Sequence, residues 1–378
     1  MKIGFDAKRL YNNGTGLGNH SRTTIDILTE YFPENAYFLF TPKIKEKYAG
    51  SYPTKEGCKT ILPSGLLKGG LWRTLSLGKE AEKEGVELFH GLSNELPLGL
   101  KMPSVVTIHD VAFRTFPKMY HWLDRWIYDL KWRYACKHAD RIIAISECTK
   151  HDVMRFYGVD ERKIDVVYQP VAPRFYTLMD ESEAASRLAL ADFIPASDFM
   201  LYVGAVNSRK NLLGVVKAIE LLPKELQLPL VVVGGGKDYK KKVKQYIAAH
   251  GLEDLIIFPK KRVDDDTLQA LYRKAKLFVY PSFYEGFGLP VVEALLSECP
   301  VVTSNVSSLP EAGGPYSLQA NPADTSDIAA KIKQVLTDDA LRDSMRKQGR
   351  QWAMDNLHPK VLAGKLMAVY DSTRLSQR

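Results

Sequence analysis

The chain has 378 residues, of which 45% are hydrophobic and 25% charged, and it carries a formal net charge of +8. This length is too great for a single hydrophobic core, and the composition is typical of a globular protein, which excludes a disordered or fibrous chain. No apolar run is long enough to span a bilayer, and the scattered cysteines, without any Cys-x-x-Cys pair, argue against a disulfide framework or a zinc site.

The positive charge indicates the kind of partner. A basic excess favours anions such as a nucleotide diphosphate or an acidic membrane surface, but it is spread too evenly along the chain to indicate nucleic acid. The N-terminus enters an apolar, strand-like run at Lys2 instead of a signal peptide. We therefore predict a cytoplasmic location, with peripheral contact at the inner face of the membrane as an open alternative.

Strand-like and helical runs alternate through the first half of the chain. Strands are predicted at residues 3–6, 37–40, 88–90, 105–109, 141–146 and 165–167, and helices at residues 19–31, 71–83, 120–137 and 149–157. Alternation of this kind predicts a doubly wound parallel sheet. The proline-containing segment 169–173 then interrupts the pattern, as a domain boundary does.

A second alternating series follows the interruption. Strands are predicted at residues 199–203, 230–233, 255–258, 276–279 and 300–304, and helices at residues 180–195, 211–221, 237–250, 267–273, 291–297, 325–337, 340–356 and 359–373. The sequence thus predicts an α/β protein with two Rossmann-like domains and a cleft between them.

The strongest chemical signal lies at residues 281–297, where an apolar strand is followed by a glycine loop and a helix with a proline in its first turn. Such a junction directs backbone N–H groups and the positive end of a helix dipole at one spot, which suits a phosphate. Glu285 lies in the loop and Glu293 about one turn into the helix, so both carboxylates can border that ligand. From spacing alone, a nucleotide-phosphate site and two solvated glutamates are about equally good interpretations.

A second glycine-rich segment, residues 13–19, lies between the first strand and the first helix. Glycines there allow a ligand to approach the backbone closely. The spacing is Gly-x-Gly-x-Gly and no acid follows the second strand, so the segment does not match the dinucleotide-binding fingerprint and an NAD site is disfavoured. A turn without a ligand remains the alternative.

Two further candidates follow the ends of predicted strands. Arg209 and Lys210 offer a fork of donors and a point charge to a diphosphate, although adjacent basic residues are more often solvated. His109, beside Asp110, lies at a strand's carboxyl end, where open α/β sheets bind ligands. A satisfied structural pair is the alternative interpretation of His109 and Asp110.

The predicted helix at residues 120–137 interleaves aromatic and basic side chains. This pattern is compatible with docking at a membrane interface or, less well, on single-stranded nucleic acid. Aromatic residues at helical spacing mostly face a core while the charges face solvent, and this second interpretation is favoured.

Glu285 and Glu293, embedded in Glu-Gly-Phe-Gly-Leu-Pro-Val-Val-Glu-Ala, resemble the paired-glutamate signature of the family-4 retaining glycosyltransferases, which use nucleotide sugars and have the GT-B fold. Segments 13–19, 106–117 and 202–211 are similar to the family's glycine loop, His-Asp motif and phosphate-clamping Arg-Lys-Asn segment. The chain departs from the family at Ala205, where many members carry arginine.

The resemblance implies the GT-B form of the α/β class, with two Rossmann-like, doubly wound parallel-sheet domains and an interdomain cleft. The N-terminal, acceptor-side domain is expected to comprise residues 1–172 together with 360–378, because the last helix of such enzymes crosses back to it. Residues 173–359 are expected to bind the nucleotide sugar.

The resemblance also implies roles for particular residues. Arg209 and Lys210 are expected to stabilise the departing diphosphate, Glu285 to hold the sugar hydroxyls, Glu293 to accept hydrogen bonds from the ribose, and His109 to contact the sugar without acting as a general base. The residues assigned to catalysis are Glu285, His109, Lys210 and Arg209. Those assigned to donor binding are Gly16, Gly18, Gly204, Ser208, Val263, Gly286, Phe287, Gly288, Leu289 and Glu293, and none is assigned to a metal.

The implied activity is that of a hexosyltransferase in polysaccharide biosynthesis. It would move a hexose, with retention and without a metal or cofactor, from a nucleotide sugar to a hydroxyl of a glycan or lipid-linked acceptor. Residues 307–311 resemble members with mannose-type donors, so the predicted donor is GDP-mannose. A UDP-sugar-dependent transferase, a sugar-nucleotide epimerase of the same fold and a non-catalytic nucleotide-sugar scaffold remain alternatives.

Overall fold

The computed structural model describes residues 1–14, 16–50, 52, 55–195 and 198–376. The chain divides into two compact units. Met1–Pro170 and Leu357–Arg378 form the first unit, and Val171–Asn356 forms the second. From the sequence, we expected the chain to pass from the first unit to the second after residue 172 and to return to the first after residue 359.

The first unit alternates strands and helices along the chain. Its strands are β1 (Lys2–Asp6), β2 (Ala36–Phe40), β3 (Cys58–Ile61), β4 (Leu88–Gly91), β5 (Ser104–Ile108), β6 (Arg141–Ala144) and β7 (Ile164–Val166). The helices between them are α1 (Lys8–Asn12), α2 (Gly16–Tyr31), α3 (Gly69–Leu75), α4 (Leu77–Lys83), α5 (Ala112–Thr115), α6 (Trp122–His138) and α7 (Glu147–Tyr157).

The second unit repeats this plan. Its helices are α8 (Glu181–Ala189), α9 (Leu212–Glu220), α10 (Asp238–Ala249), α11 (Asp265–Lys274), α12 (Leu289–Leu296), α13 (Leu309–Gly313), α14 (Thr325–Thr337) and α15 (Asp339–Leu357). Its strands are β8 (Met200–Val203), β9 (Leu230–Val233), β10 (Ile256–Ile257), β11 (Leu277–Tyr280), β12 (Val301–Ser304) and β13 (Leu318–Ala320).

The final helix, α16 (Pro359–Leu375), is part of the first unit. It packs against α2 and buries Leu366 and Tyr370 in the core on that face of the sheet. The Tyr370 hydroxyl forms a 2.7 Å hydrogen bond with Nδ1 of His90, at the end of β4. The last helix of the chain therefore completes the core of the unit in which the chain begins.

Both sheets are entirely parallel and reverse their strand order once. The first has the order β3-β2-β1-β4-β5-β6-β7 and the second β10-β9-β8-β11-β12-β13. Val, Ile, Leu and aromatic residues fill the central strands, which are buried on both faces, as parallel sheets require. The order reverses between β1 and β4 and between β8 and β11, and open α/β sheets bind ligands outside the carboxyl ends at such switch points.

The α/β, doubly wound fold class is confirmed, but some local predictions were wrong. Residues 71–83 form two helices, α3 and α4, because the chain turns at Ser76. The edge strands β3 and β13 were not predicted. Trp122 and Trp126 of α6 are 65% and 60% exposed, so the interpretation that the aromatic residues of this helix face a core is wrong for these two. Within the ranges given above, none of the helices combines the length and apolar composition that crossing a bilayer requires.

Candidate active site

The second unit places its basic pair and its first glutamate at the switch point of the sheet. Arg209 and Lys210 lie in a 3₁₀ turn that begins at Ser208, shortly after β8 ends. Asn207 caps this turn, since its Oδ1 accepts a 3.1 Å hydrogen bond from the Lys210 backbone N–H. Glu285 follows β11, the strand next to β8, and the two segments meet beyond the carboxyl ends of the strands.

Four donors converge on the Glu285 carboxylate. Arg209 Nη1 lies 3.0 Å from Oε2, and Lys210 Nζ lies 3.0 Å from Oε1. The hydroxyls of Tyr280 and Ser282 each donate a 2.9 Å hydrogen bond to Oε1. Oε1 therefore has three partners and Oε2 has one in this set. The side chain is only 12% exposed, so the carboxylate is held in one geometry and largely shielded from water.

The two cations decide the charge of the site. Burial alone would raise the pKa of Glu285, but Lys210 and then Arg209 outweigh it and hold that pKa below its ordinary value. Burial, reinforced by the Glu285 charge, raises the pKa of Tyr280 far above its usual range, so its hydroxyl stays protonated and able to donate. One carboxylate thus faces two cations, and the cluster keeps a surplus positive charge.

Serine hydroxyls fix the loop that carries Glu285. Ser307 Oγ donates to the Glu285 carbonyl at 2.7 Å, and Ser308 Oγ lies 2.9 Å from the same oxygen and 2.7 Å from the Phe287 carbonyl. On the other side, the Arg209 carbonyl accepts from the Phe283 N–H at 2.8 Å. Because both sides of the loop are tied to neighbouring segments, the carboxylate is positioned before any ligand arrives.

Two glycines at the site meet steric demands of the protein itself. Gly288 has φ of +123°, and a Cβ there would lie 2.8 Å from Leu309 Cδ2 of α13. Gly204 has φ of +150°, and its added Cβ would lie 3.3 Å from Lys210 Cδ. A side chain at Gly288 would displace the start of α12, and one at Gly204 would crowd the lysine.

Glu293, on α12, has a different environment from Glu285. Its side chain accepts a 3.0 Å hydrogen bond at Oε2 from Tyr272 of α11. Burial raises the pKa of Glu293 to about 7, although the Tyr272 hydrogen bond opposes that shift. The two glutamates of the sequence motif are therefore an ionised carboxylate between cations and a buried carboxyl that titrates near neutrality.

His109 belongs to the first unit, just after β5, and both its ring nitrogens have protein partners. Nε2 donates to the Leu92 carbonyl at 2.8 Å, so Nδ1 is the acceptor and takes a 2.7 Å hydrogen bond from the Gln169 amide. Burial lowers the pKa of His109 to about 4, which keeps the ring neutral. Its ring also packs edge-on against His20, with centroids 4.5 Å apart. A contact of His109 with a sugar stays a prediction.

The expectation that Gly16 and Gly18 lie in a loop was wrong. Helix α2 begins at Gly16, so both glycines are in its first turn, and Thr15 of the same motif lies outside the described residues. A Cβ on Gly18 would lie 1.8 Å from the Asn13 carbonyl oxygen, whereas one on Gly16 would meet nothing within 4 Å. The protein's own backbone thus requires the glycine at 18, and only Gly16 leaves open space for a ligand.

The remaining predicted donor-binding residues occupy the ends of helices in the second unit. Val263 precedes Asp264, whose carboxylate caps α11 by accepting from the Thr267 N–H at 2.9 Å. Leu289 is the first residue of α12, and the Phe287 side chain before it is buried. Tyr280, Ser282 and Tyr272 were not predicted. In the part of the chain that the structure describes, no cluster of three or more His, Cys, Asp or Glu could hold a metal ion.

Comparison with known proteins gives the family. A sequence model described as "Glycosyl transferases group 1" matches residues 193–352, and one described as "Glycosyltransferase Family 4" matches residues 27–175. O-antigen chain mannosyltransferase B of Escherichia coli is 33% identical over 276 residues, which are 71% of this chain and 71% of that protein. The chain therefore belongs to glycosyltransferase family 4, and among its members it is mannosyltransferase-like.

Solved structures show the same GT-B fold. Sucrose-phosphate synthase from Thermosynechococcus elongatus has a TM-score of 0.78 at 18% identity, with 100% of each chain covered. Anabaena HepE, in complex with UDP and glucose, has a TM-score of 0.74 at 17% identity, with 98% of this chain and 99% of that chain covered. At sequence identities this low, the similarity to these structures shows a shared fold and nothing about activity.

Proposed function

We propose that this glycosyltransferase moves mannose from GDP-mannose to a hydroxyl of a glycan or lipid-linked acceptor, with retention of configuration and without a metal ion. The observation that carries the proposal is the buried Glu285 carboxylate, held by Arg209, Lys210, Tyr280 and Ser282 at the switch point of the second sheet. Such a site combines fixed positive charge with a directed carboxylate, and both are needed to break a sugar–diphosphate bond.

The cations suit the departing group. As the bond between the anomeric carbon and the diphosphate oxygen breaks, negative charge grows on the diphosphate, and fixed guanidinium and ammonium groups stabilise that charge without reorganising. Arg209 supplies a planar fork of donors and Lys210 a point charge, and each is less than 20% exposed. The start of α12 directs a helix dipole of the same sign to this end of the sheet. Together these groups replace the charge that a metal ion would provide.

The carboxylate suits the sugar. Three of the four donors described above bind Oε1 of Glu285, whereas Oε2 takes Arg209. Because Oε1 is the more occupied of the two oxygens in this set, a sugar hydroxyl would donate to Oε2. The negative charge beside the anomeric carbon would also favour an oxocarbenium-like transition state.

Mannose as the transferred sugar is supported by the similarity to O-antigen chain mannosyltransferase B of Escherichia coli. The same name supports a glycan acceptor. Ser307 and Ser308, in the stretch that resembles mannosyltransferases, fix the carbonyls of the Glu285 loop, so this stretch shapes the sugar side of the site. A UDP-sugar is the second candidate donor, because a structural neighbour is described in complex with UDP and glucose.

A donor panel tests the proposal. Release of nucleoside diphosphate is measured with GDP-mannose, UDP-glucose and UDP-N-acetylglucosamine, each with and without a mannose-containing glycan acceptor. We expect acceptor-dependent release of GDP, and NMR of the product should show the anomeric configuration of the donor. Turnover with UDP-sugars alone would replace the donor assignment. Conversion of the donor without an acceptor would indicate an epimerase, and binding without any turnover would indicate a scaffold.

A further inference from the structure

The His109 ring has a protein partner at each of its nitrogens. Nε2 donates to the Leu92 carbonyl, and Nδ1 accepts a 2.7 Å hydrogen bond from the Gln169 amide. A neutral imidazole has one donor and one acceptor, so both are in use. The histidine and the glutamine are only 5% and 7% exposed. A sugar hydroxyl must therefore replace one of these partners before the ring contact expected from the sequence can form.

The main chain and the packing of His109 are fixed as well. Its N–H donates to Asn94 Oδ1 at 2.7 Å, and its carbonyl oxygen lies 3.4 Å from Thr149 Oγ1. The buried ring of His20 packs edge-on against it. Because the backbone is held on both sides and the ring is packed, the part that can change is the group bonded to each nitrogen.

The two partners of the ring differ in how easily they can leave. The Leu92 oxygen belongs to the main chain of a residue with no exposure, so it cannot withdraw without a backbone movement. The Gln169 amide can turn away about its side-chain bonds, and in the part of the chain that the structure describes it makes no other side-chain hydrogen bond. Gln169 also lies two positions before Val171, where the chain enters the second unit. Gln169 is therefore the exchangeable partner.

The surroundings of the ring keep Nδ1 an acceptor. The titratable groups nearest to it are His20, His90 and Arg9. Burial lowers the pKa of His109 to about 4, and the charge of Arg9 lowers it further, although the hydrogen bond to Leu92 opposes the shift. Burial also lowers the pKa of both other histidines. Nδ1 thus stays unprotonated and suits a partner that donates.

We propose that Gln169 is a positioning residue for sugar transfer: its amide occupies Nδ1 of His109 in the free protein, and a hydroxyl of the transferred sugar displaces it and donates to the same nitrogen. This inference rests on the proposed function, because it takes His109 as a contact of the sugar. An O–H donor replaces an N–H donor, so the ring keeps its tautomer and its charge, and no proton is transferred. His109 then orients the sugar without acting as a general base.

Nitrogen NMR of the histidine-labelled, full-length protein tests the exchange in the wild type. We expect His109 to be the Nε2–H tautomer with a hydrogen-bonded Nδ1. GDP alone should leave the Nδ1 resonance unchanged, whereas GDP-mannose should shift it. UDP and UDP-glucose give the same comparison for the second candidate donor. An Nδ1–H tautomer would overturn the proposal, and so would a resonance that no sugar nucleotide of the donor panel changes.

Gln169→Met keeps the length of the side chain but cannot donate to Nδ1. Since the sugar then has no hydrogen bond to displace, the Kd of GDP-mannose should fall by about fivefold, the scale of one net hydrogen bond, while the Kd of GDP stays unchanged. A merely structural glutamine would give an unchanged or higher Kd for GDP-mannose, and that result would overturn the proposal. Gln227→Met is the matched control, because this amide donates to the Leu222 carbonyl at 2.8 Å in the second unit. It should leave both Kd values unchanged.

Gln169→Glu reverses the polarity of the bond. A carboxylate accepts, so Nδ1 must carry a proton to keep the contact, and the pKa of His109 should rise from about 4 to above its ordinary value of 6.5. A protonated Nδ1 cannot accept from a sugar, and the Kd of GDP-mannose at pH 6 should rise by about tenfold or more. Gln245→Glu, at an exposed position of α10, adds the same charge to the second unit and should change neither value.

The outcomes separate this proposal from the proposed sugar transfer. A pKa of His109 that stays near 4 in Gln169→Glu would show that the pair does not exist, and this measurement needs no ligand. Turnover in the donor panel with an unchanged Nδ1 resonance would keep the sugar transfer and remove the role of Gln169. A shifted resonance without turnover would keep the exchange and remove the transfer. Thermal midpoints confirm that each variant folds, and the wild-type titration decides the matter if one does not.

Discussion

The switch points of the two sheets both carry partly or fully buried ion pairs, but they are built in opposite ways. In the second unit a single carboxylate, Glu285, lies between the cations Arg209 and Lys210. In the first unit a single guanidinium, Arg73, lies between the carboxylates Asp6 and Glu95. In the second cluster the central Glu285, at 12%, is slightly less exposed than either of its cations. In the first cluster the most buried member is Asp6, at 3%, compared with 8% for the central Arg73.

In the proposed function, the second cluster is the reaction site and the first has a supporting role. The second unit adds two neutral donors, Tyr280 and Ser282, that orient its central carboxylate, and the cations around it have no other acid in the cluster. The first unit neutralises its central cation almost completely. We therefore expect changes in the first cluster to affect mainly stability and changes in the second to affect mainly turnover.

The largest effect is expected from Glu285→Gln. The amide keeps the size of the side chain but removes the charge that pairs with Arg209 and Lys210 and that, in the proposed function, faces the sugar. We expect kcat to fall by about a thousandfold, the scale of losing a fixed electrostatic contact in an active site. Diphosphate release measures kcat, and the thermal midpoint checks the fold. Glu253→Gln, at an exposed position, is the control. Near-normal turnover in Glu285→Gln would remove the residue from the mechanism.

Arg73→Leu tests the ion-pair cluster of the first unit. It leaves Asp6 and Glu95 without their buried cation, and removal of one partner from a buried ion pair costs about 3–5 kcal/mol. Urea unfolding should show a loss of this size. Arg162→Leu removes an arginine that is 90% exposed from its pair with Asp160, and it should leave the free energy of unfolding nearly unchanged because solvent screens that pair. Equal losses in the two variants would refute the supporting role of Arg73.

Tyr280→Phe removes one of the two hydroxyl groups that donate to the Glu285 carboxylate. Oε1 of Glu285 keeps Lys210 and Ser282, so the carboxylate should be less well oriented but still present. We expect kcat to fall by about tenfold, equivalent to about 1.4 kcal/mol, with a smaller change in the KM of the donor. Tyr239→Phe is the control, because its hydroxyl contacts the Leu213 N–H instead of the cluster. Steady-state kinetics separates the two parameters, and an unchanged kcat would limit Tyr280 to packing.

The smallest effect concerns pH and Glu293. If ribose hydroxyls donate to its ionised form, the KM of the donor should fall as pH rises through about 7, by about fivefold between pH 6 and pH 7. The folded-state pKa lies above the ordinary value of 4.5, so the folded protein holds this proton more tightly. This group's contribution to the free energy of unfolding is therefore greatest below pH 4.5 and declines until about pH 7. Glu293→Gln should flatten the pH dependence of both the donor KM and the free energy of unfolding. If the KM of this variant still changed with pH, another group would be responsible.

The sequence predicted the fold class because the buried parallel strands are continuous runs of Val, Ile, Leu and Phe. The strands that were missed lack this signal. Strand β3, Cys58–Ile61, contains Lys59 and lies at an edge, and β13 has only three residues. Both form because a neighbouring strand offers unpaired backbone groups, which a local pattern does not reveal.

Within the site, the sequence identified the charged residues but not the groups that orient them. Glu285, Arg209 and Lys210 follow strand ends, which is a local signal. Tyr280 resembles an ordinary core residue at the end of an apolar strand, so its hydrogen bond to Glu285 was invisible. The Arg73–Asp6 pair joins residues 67 positions apart, and only the reversal of strand order brings them together. Gly18 was assigned to ligand binding because sequence does not show that the Asn13 carbonyl already occupies the space beside it.

The return of α16 to the first unit has a consequence for biogenesis. A ribosome releases residues 1–170 long before residues 359–375, so the nascent first unit must wait, with the surface around His90 uncovered, until Tyr370 emerges. The second unit is one continuous segment and has no such delay. Domains generally fold as units during synthesis, so we expect the later half of this polypeptide to reach its native state first.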